Sequence, residues 1–532
     1  MIHLHFSRKY IVSIFVLLLA SLGAGLPPAN LAPVPATSVD SISPAELRTH
    51  LKFLTSEELG GRYTLSPNFA IVARYLATQL ESYGFQGAGD HGDFLQHFTV
   101  ISTKPDMEKT SLSITDQGQT TNYSFGDFYT SPGGGDGKVE GQLVFAGGGI
   151  SSPSQHHDDY ANLDVKGKIV LLANITPEGV DASRLQRNES GERAAIAHGA
   201  AGVLRIPPQR FIEFMKSPGF KERFGSREDV HLAQGSENHM PVLALSPALA
   251  EKLLTSIGLS LKKVQEAERD HTALAVKVTT ISVSMNVVYQ QRQVITQNVV
   301  GRLEGTDPQL KKEYVIFSAH YDHLQANDKG EIYPGADDDG SGTTSVLAIA
   351  HAMALDRPKR SILVMFHAGE ELGLLGSEYN TDYAPAVPLD NVLADLNIDM
   401  IGRSKPPGDE ERLDLHLTDA NTIYLVGSNR ISKELHKISE QTNSEYARLK
   451  LDYYYNDPSN PERIYFRSDH WNYAKHGIPV IFYFDGTHVD YHKPTDTIDK
   501  IDFDKMTRVA RLVFETGWRL ANLDHHLARD SN

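Results

Sequence analysis

The strongest constraint in this 532-residue sequence lies between residues 318 and 400, where ionisable residues repeatedly close apolar runs. In order they read Ser-Ala-His320-Tyr-Asp322-His323, Gly335-Ala-Asp337-Asp338-Asp339-Gly-Ser-Gly342, His367-Ala-Gly-Glu370-Glu371-Leu-Gly and Asn397-Ile-Asp399-Met. Carboxylates at the ends of buried strands must be paired or bound to a cation to be tolerated. The stretch therefore reads as a two-metal hydrolytic site, completed further along by His492.

The surrounding pattern says what would carry such a site. Strand candidates at 314–318, 362–366, 392–398, 423–427 and 479–484 alternate with helix candidates at 341–355, 432–442, 469–476 and 503–523. That alternation predicts an α/β fold, a mostly parallel central sheet flanked by helices, with ligands at the strands' carboxyl ends. Upstream, Ser43-Pro44-Ala45-Glu46 has an N-cap, a proline at the first helical position and an early acid, predicting a helix to about Leu54. A second amphipathic helix is expected over 68–83, stopped by Gly84. From Gly126 the texture shifts to short β-like runs punctuated by glycines, a smaller α/β unit without an obvious catalytic group. The division expected is a signal peptide at 1–25, a Pro-rich spacer at 26–42, and the fold carrying the hydrolytic site in two parts, 43–125 and 291–532. The unit at 126–290 is then an insertion. At this length more than one hydrophobic core is expected in any case.

Composition narrows the chemistry. There is no cysteine, so disulfides, thiolate zinc sites and cysteine nucleophiles are excluded, and metal ligands must be His, Asp or Glu. Asp plus Glu number 67 against 51 Lys plus Arg, a net of -16, which disfavours nucleic acid as a partner. Arg8 and Lys9 followed by an apolar stretch to Leu22 and the small residues Gly23, Ala24 and Gly25 read as an export signal. The expected location is secreted or periplasmic without stable membrane insertion after signal removal, the alternative being an uncleaved N-terminal anchor.

Each cluster has a bland reading and a chemical one. Asp322 is placed to accept the proton of the second ring nitrogen of His320. Three consecutive acids at a strand-to-helix turn exceed what a helix start needs. Of Glu370 and Glu371, one can bind metal while its neighbour takes a proton from water. Asp399 ends another apolar run, and His488 competes with His492 as the last ligand.

Taken together, the ordered set His-x-Asp, Gly-Ala-Asp-Asp-Asp-x-Ser-Gly, Glu-Glu-x-Gly, Asp-Met and Tyr-His resembles the co-catalytic zinc aminopeptidase and glutamate carboxypeptidase family. Leu54-Thr-Ser-Glu-Glu-Leu-Gly-Gly-Arg62 is similar to that family's N-terminal signature, and the insertion resembles a protease-associated domain. The resemblance implies two zinc ions per chain, His320 and Asp399 holding one, Glu371 and His492 the other, and Asp338 bridging. It implies Glu370 as general base toward a bridging hydroxide, Asp322 behind His320, Tyr491 near the oxyanion, and a cis peptide between Asp338 and Asp339. The expected activity is an exported exopeptidase acting on peptides, foremost an aminopeptidase. Alternatives are a glutamate-carboxypeptidase-like enzyme served by Arg463 and Arg467, a glutaminyl-cyclase-like acyl transferase with one zinc, and a non-catalytic receptor-like relative.

Overall fold

The computed structural model of the chain describes residues 31–131, 134–186, 188–215, 228–234, 240–327, 329–409, 416–457 and 460–530. The leader read at 1–25 and the start of the spacer lie outside them. No described helix is long and apolar enough to cross a membrane.

A short helix, Ala36–Ser41, lies within the stretch read as a spacer, and the next forms where its capping residues place it: Pro44–Leu54, with the Ser43 hydroxyl accepting from the Glu46 N–H. Phe69–Ser82 follows, and the chain turns away at Gly84, whose φ of +87° suits glycine. The centre of the molecule is four adjacent parallel strands, β1 (Tyr314–His320), β2 (Ser361–His367), β3 (Val392–Ile398) and β4 (Val480–Phe484). They lie in the order β2-β1-β3-β4, and every residue in them is buried. Two buried faces explain their continuous apolar runs. The side-chain alternation of β1 sends Val315, Phe317 and Ala319 to a cluster shared with helices α1 (Gly340–Leu355) and α2 (Phe503–Ala521). Tyr314 and Ile316 join a second cluster with Tyr473 and Phe482 on the other face.

The expectation of a mostly parallel sheet holds for those four strands and fails for the sheet as a whole, which is mixed and has ten strands among the described residues. Beyond β2, Tyr289–Leu303, Leu95–Pro105 and Asp229–Leu232 follow in antiparallel pairing. Beyond β4, Thr422–Val426 is antiparallel and Lys450–Asp452 pairs parallel with it. The antiparallel flank contains strands with a solvated side, Ile295 being 69% exposed, which antiparallel ladders tolerate and βαβ units do not.

A second sheet, of eight strands among the described residues, is also mixed, running Gln119–Tyr123, Ser111–Asp116, Lys277–Val287, Gly137–Phe145, Ile169–Leu172, Gly202–Arg205, Val242–Leu245 and Phe128–Thr130. Leu143, Phe145, Leu171, Leu204 and Leu243 pack beneath it with Leu249 and Leu253 of helix Pro247–Ser256, a core separate from the first. The boundary read at Gly126 falls inside this sheet, which begins at Ser111, and Asp229–Leu232 leaves the 126–290 stretch to pair in the large sheet. Lys277–Val287 leads almost directly into Tyr289–Leu303, so one run of chain passes from sheet to sheet.

Candidate metal centre

The parallel strands deliver their ends to one edge. His320 is the last residue of β1 and Asp399 follows the last residue of β3. His320 Nε2 lies 3.4 Å from Asp338 Oδ1, 3.6 Å from Asp399 Oδ1 and 3.8 Å from Glu370 Oε2, and the ring is 1% exposed. Its Nδ1 lies 3.2 Å from the backbone carbonyl of Asp322 and 3.7 Å from that residue's carboxylate. The orienting contact expected of the Asp322 carboxylate is thus made by its main chain, which fixes a tautomer equally well. The carboxylate instead accepts from the Thr64 hydroxyl at 2.8 Å and the Glu370 N–H at 3.2 Å, tying the glutamate loop to the end of β1.

The three consecutive acids divide their work. Asp339 caps α1, accepting from the N–H groups of Gly342, Met400 and His320. A Cβ on Gly342 would come within 2.3 Å of that carboxylate, so the cap requires glycine there. Asp337 accepts from the Gly402 N–H at 2.6 Å and sits 3.2 Å from His488 Nε2. Asp338, preceding a cis peptide to Asp339, is left to face the histidines. Asp496 holds this turn by accepting from the N–H groups of both Asp337 and Asp338. His488, the rival ligand, is engaged through Nδ1 by Arg403 and the Asp490 N–H, while its Nε2 faces Asp337 at 3.2 Å, outside both ligand groups.

From the other side, His492 Nε2 lies 3.0 Å from both Asp338 Oδ2 and Glu371 Oε2. Two groups of potential ligands result, His320–Asp338–Asp399 and His323–Asp338–Glu371, each with its donor atoms within 4.8 Å of one another and Asp338 common to both. Asp338 Oδ2, Glu371 Oε1, His492 Nε2 and both ring nitrogens of His323 are buried and make no hydrogen bond. Charged oxygens so placed need a cation, and a nitrogen-and-oxygen donor set suits zinc. The residues present therefore fit the metal pair that the sequence pattern implies.

Two neighbours stay off these groups. Burial lifts the Glu370 carboxyl well above the usual carboxylate range; His320 opposes this, and Glu371, Asp399 and Asp469 add to it. Burial, reinforced by Asp338, Glu371 and Glu370, likewise keeps the Tyr491 hydroxyl protonated; its ring stacks on His492 at 3.9 Å between centroids. The cleft above is lined by Met400, Ile464, Phe482 and Phe484, with Arg467 and Thr487 at its wall. Arg463 lies over the Phe466 ring. Asp469 and Ser468 buttress the site from below, through Ser377 and Asn397.

Sequence reasoning gave no role to His323, Arg62 or Asp496. His323 stands in the quoted His-Tyr-Asp-His run, but a lone histidine carries no periodic signal, and Arg62 and Asp496 act on main-chain atoms that no side-chain motif reveals.

Residues 298–517 match the profile of Peptidase family M28. Among curated proteins, a "Probable leucine aminopeptidase" of Arthroderma otae is 28% identical over 253 residues, 42% of this chain and 64% of the relative. A "probable leucine aminopeptidase 2" of Aspergillus oryzae is 33% identical over 145 residues, 27% of this chain and 26% of the relative. The chain thus spans under two thirds of either relative. Among solved structures, the aminopeptidase from Aneurinibacillus sp. strain AM-1 superposes with a TM-score of 0.57 at 18% identity, covering 93% of this chain and 97% of that one, a likeness of fold.

Proposed function

We propose that this chain, whose residues 298–517 belong to Peptidase family M28, is an exported dinuclear zinc aminopeptidase that releases N-terminal residues from peptides. The observation that carries the reading is Asp338, one buried carboxylate facing both ligand groups while Glu370 stands beside them unused. His320 and Asp399 would hold one zinc, Glu371 and His492 the other, with Asp338 shared. Bound zinc supplies Lewis acidity toward a peptide carbonyl and toward water.

The chain's own groups do the rest. Glu370, beside the ligand groups and outside both, takes a proton from the attacking water and returns it to the departing amine. Tyr491, held protonated, donates to the carbonyl oxygen as charge develops there. Asp322 positions both His320 and the Glu370 loop. The apolar walls Met400, Ile464, Phe482 and Phe484 suit an apolar first side chain, in keeping with the names of the curated relatives. The exposed Arg467 at the wall favours a second reading, removal of acidic C-terminal residues. The second sheet would correspond to a protease-associated insertion.

The test is hydrolysis of leucyl-peptides before and after chelation. Free-amine peptides are expected to be cleaved from the amino end, with activity falling to background on chelation and returning as about two zinc equivalents per chain are added back. Cleavage of N-blocked peptides from the carboxyl end would select the second reading, and activity unmoved by complete metal removal would reject both.

A further inference from the structure

The expected ligand set leaves one buried imidazole beside the metal centre without a task. His323 is fully buried, and neither of its ring nitrogens makes a hydrogen bond, a rare condition for a polar ring in a protein interior. Its backbone N–H is fixed by the Arg62 carbonyl at 3.0 Å. Its ring lies flush against Gly335, where a Cβ would come within 2.5 Å of the ring carbon Cδ2. The side chain is therefore held in one place, and that place faces the cluster.

His323 Nδ1 lies 2.8 Å from Glu371 Oε1 and 3.8 Å from Asp338 Oδ2. Despite the first distance the pair does not meet hydrogen-bond geometry, and both oxygens are also without a hydrogen bond. Two donors on one tetrahedral zinc stand about 3.4 Å apart, given metal–ligand bonds of about 2.1 Å. Separations of 2.8 and 3.8 Å straddle that value. Three unsatisfied atoms facing one another at ligand–ligand spacing are what a shared ion leaves behind, whereas a donor and its acceptor would be aligned.

We propose that His323 is a third imidazole ligand of the centre, binding through Nδ1 the ion that Asp338, Glu371 and His492 also hold. This rests on the dinuclear reading above and deepens it. Glu371 would then divide its oxygens, Oε1 on the His323 side and Oε2 on the His492 side. The second position would then draw on four side chains, Asp338, Glu371, His492 and His323, where His320, Asp338 and Asp399 supply three to the first.

The test uses the full chain, labelled with 15N-histidine and loaded with cadmium-113, read by nitrogen NMR. Three ring nitrogens split by coupling to cadmium are expected, one of them an Nδ1 that disappears in His323→Gln. Zinc titration of that variant should show one of the two sites weakened by about tenfold or more. Two split nitrogens in the unaltered chain, with two ions bound, would overturn the His323 assignment and leave the dinuclear reading standing. Failure to retain any ion would overturn the dinuclear reading itself. Because the count is made on the unaltered chain, the result does not depend on the variant folding.

Discussion

Replacing Glu370 by glutamine is expected to lower kcat by about 10²–10⁴-fold while both zinc ions stay bound and KM changes little. The substitution keeps size and shape and removes only the capacity to take a proton. Glu370 Oε2 stands 3.8 Å from His320 Nε2, next to the ligand groups and outside both of them. Without bound cations, burial and the neighbouring carboxylates hold its carboxyl above the usual carboxylate range, and adjacent dications would offset this and leave the carboxylate free to accept a proton from water. Its backbone N–H is held by Asp322, so the amide variant should sit in the same place. Steady-state kinetics with metal analysis on one sample checks this. A full-strength E370Q enzyme would remove Glu370 from the chemistry, and an inactive one that has lost a zinc would make it a ligand instead.

Arg62→Met is expected to produce the largest loss of stability, about 4 kcal/mol, in the metal-free protein. Arg62 is 0% exposed and donates to five main-chain carbonyls, those of Tyr321, Leu54, Pro334, Gly335 and Asp338. Burial works to lower its pKa, and Asp338, Asp339, Asp322 and Asp496 offset that in part. Methionine keeps much of the volume and leaves those carbonyls without their donor, at roughly 1–3 kcal/mol for each that water fails to reach. The same carbonyls bound the turn that carries Asp338, so metal affinity should fall with stability. Arg62→Lys should rescue poorly, since an ammonium offers three donors where the planar fork offers five. Urea denaturation of the three proteins measures the loss; a change below about 1 kcal/mol in Arg62→Met would show that the carbonyls find other partners.

The parallel core was legible because β1 to β4 are buried on both faces and their sequences are correspondingly unbroken. The helix Pro44–Leu54 was legible because Ser43 and Pro44 act within a single turn. The antiparallel flank was not. Tyr289–Leu303 opens on Gln290, Gln291, Arg292 and Gln293, all exposed, and owes its strand state to pairing with residues nearly two hundred positions away. The same non-local pairing hid Asp229–Leu232 inside what reads as a separate unit. At the site, residue types and order marked the clusters, the family resemblance singled out His320, Asp338, Glu371, Asp399 and His492 within them, and the folded chain brings these five together. What order alone could not say is how three adjacent aspartates divide among a cap, a buttress and a face toward the histidines. Nor could it say that the carbonyl of Asp322 meets His320. Those outcomes depend on which backbone N–H groups the tertiary fold brings near.

The central claim is that five side chains, gathered at and beyond the ends of four parallel strands, hold two cations through one shared carboxylate. Anomalous diffraction at the zinc edge from crystals of the zinc-loaded protein tests it most directly. The account predicts two peaks about 3.5–4 Å apart, one among His320, Asp338 and Asp399 and the other among Asp338, Glu371 and His492. A single peak, or two that do not share Asp338, would contradict it.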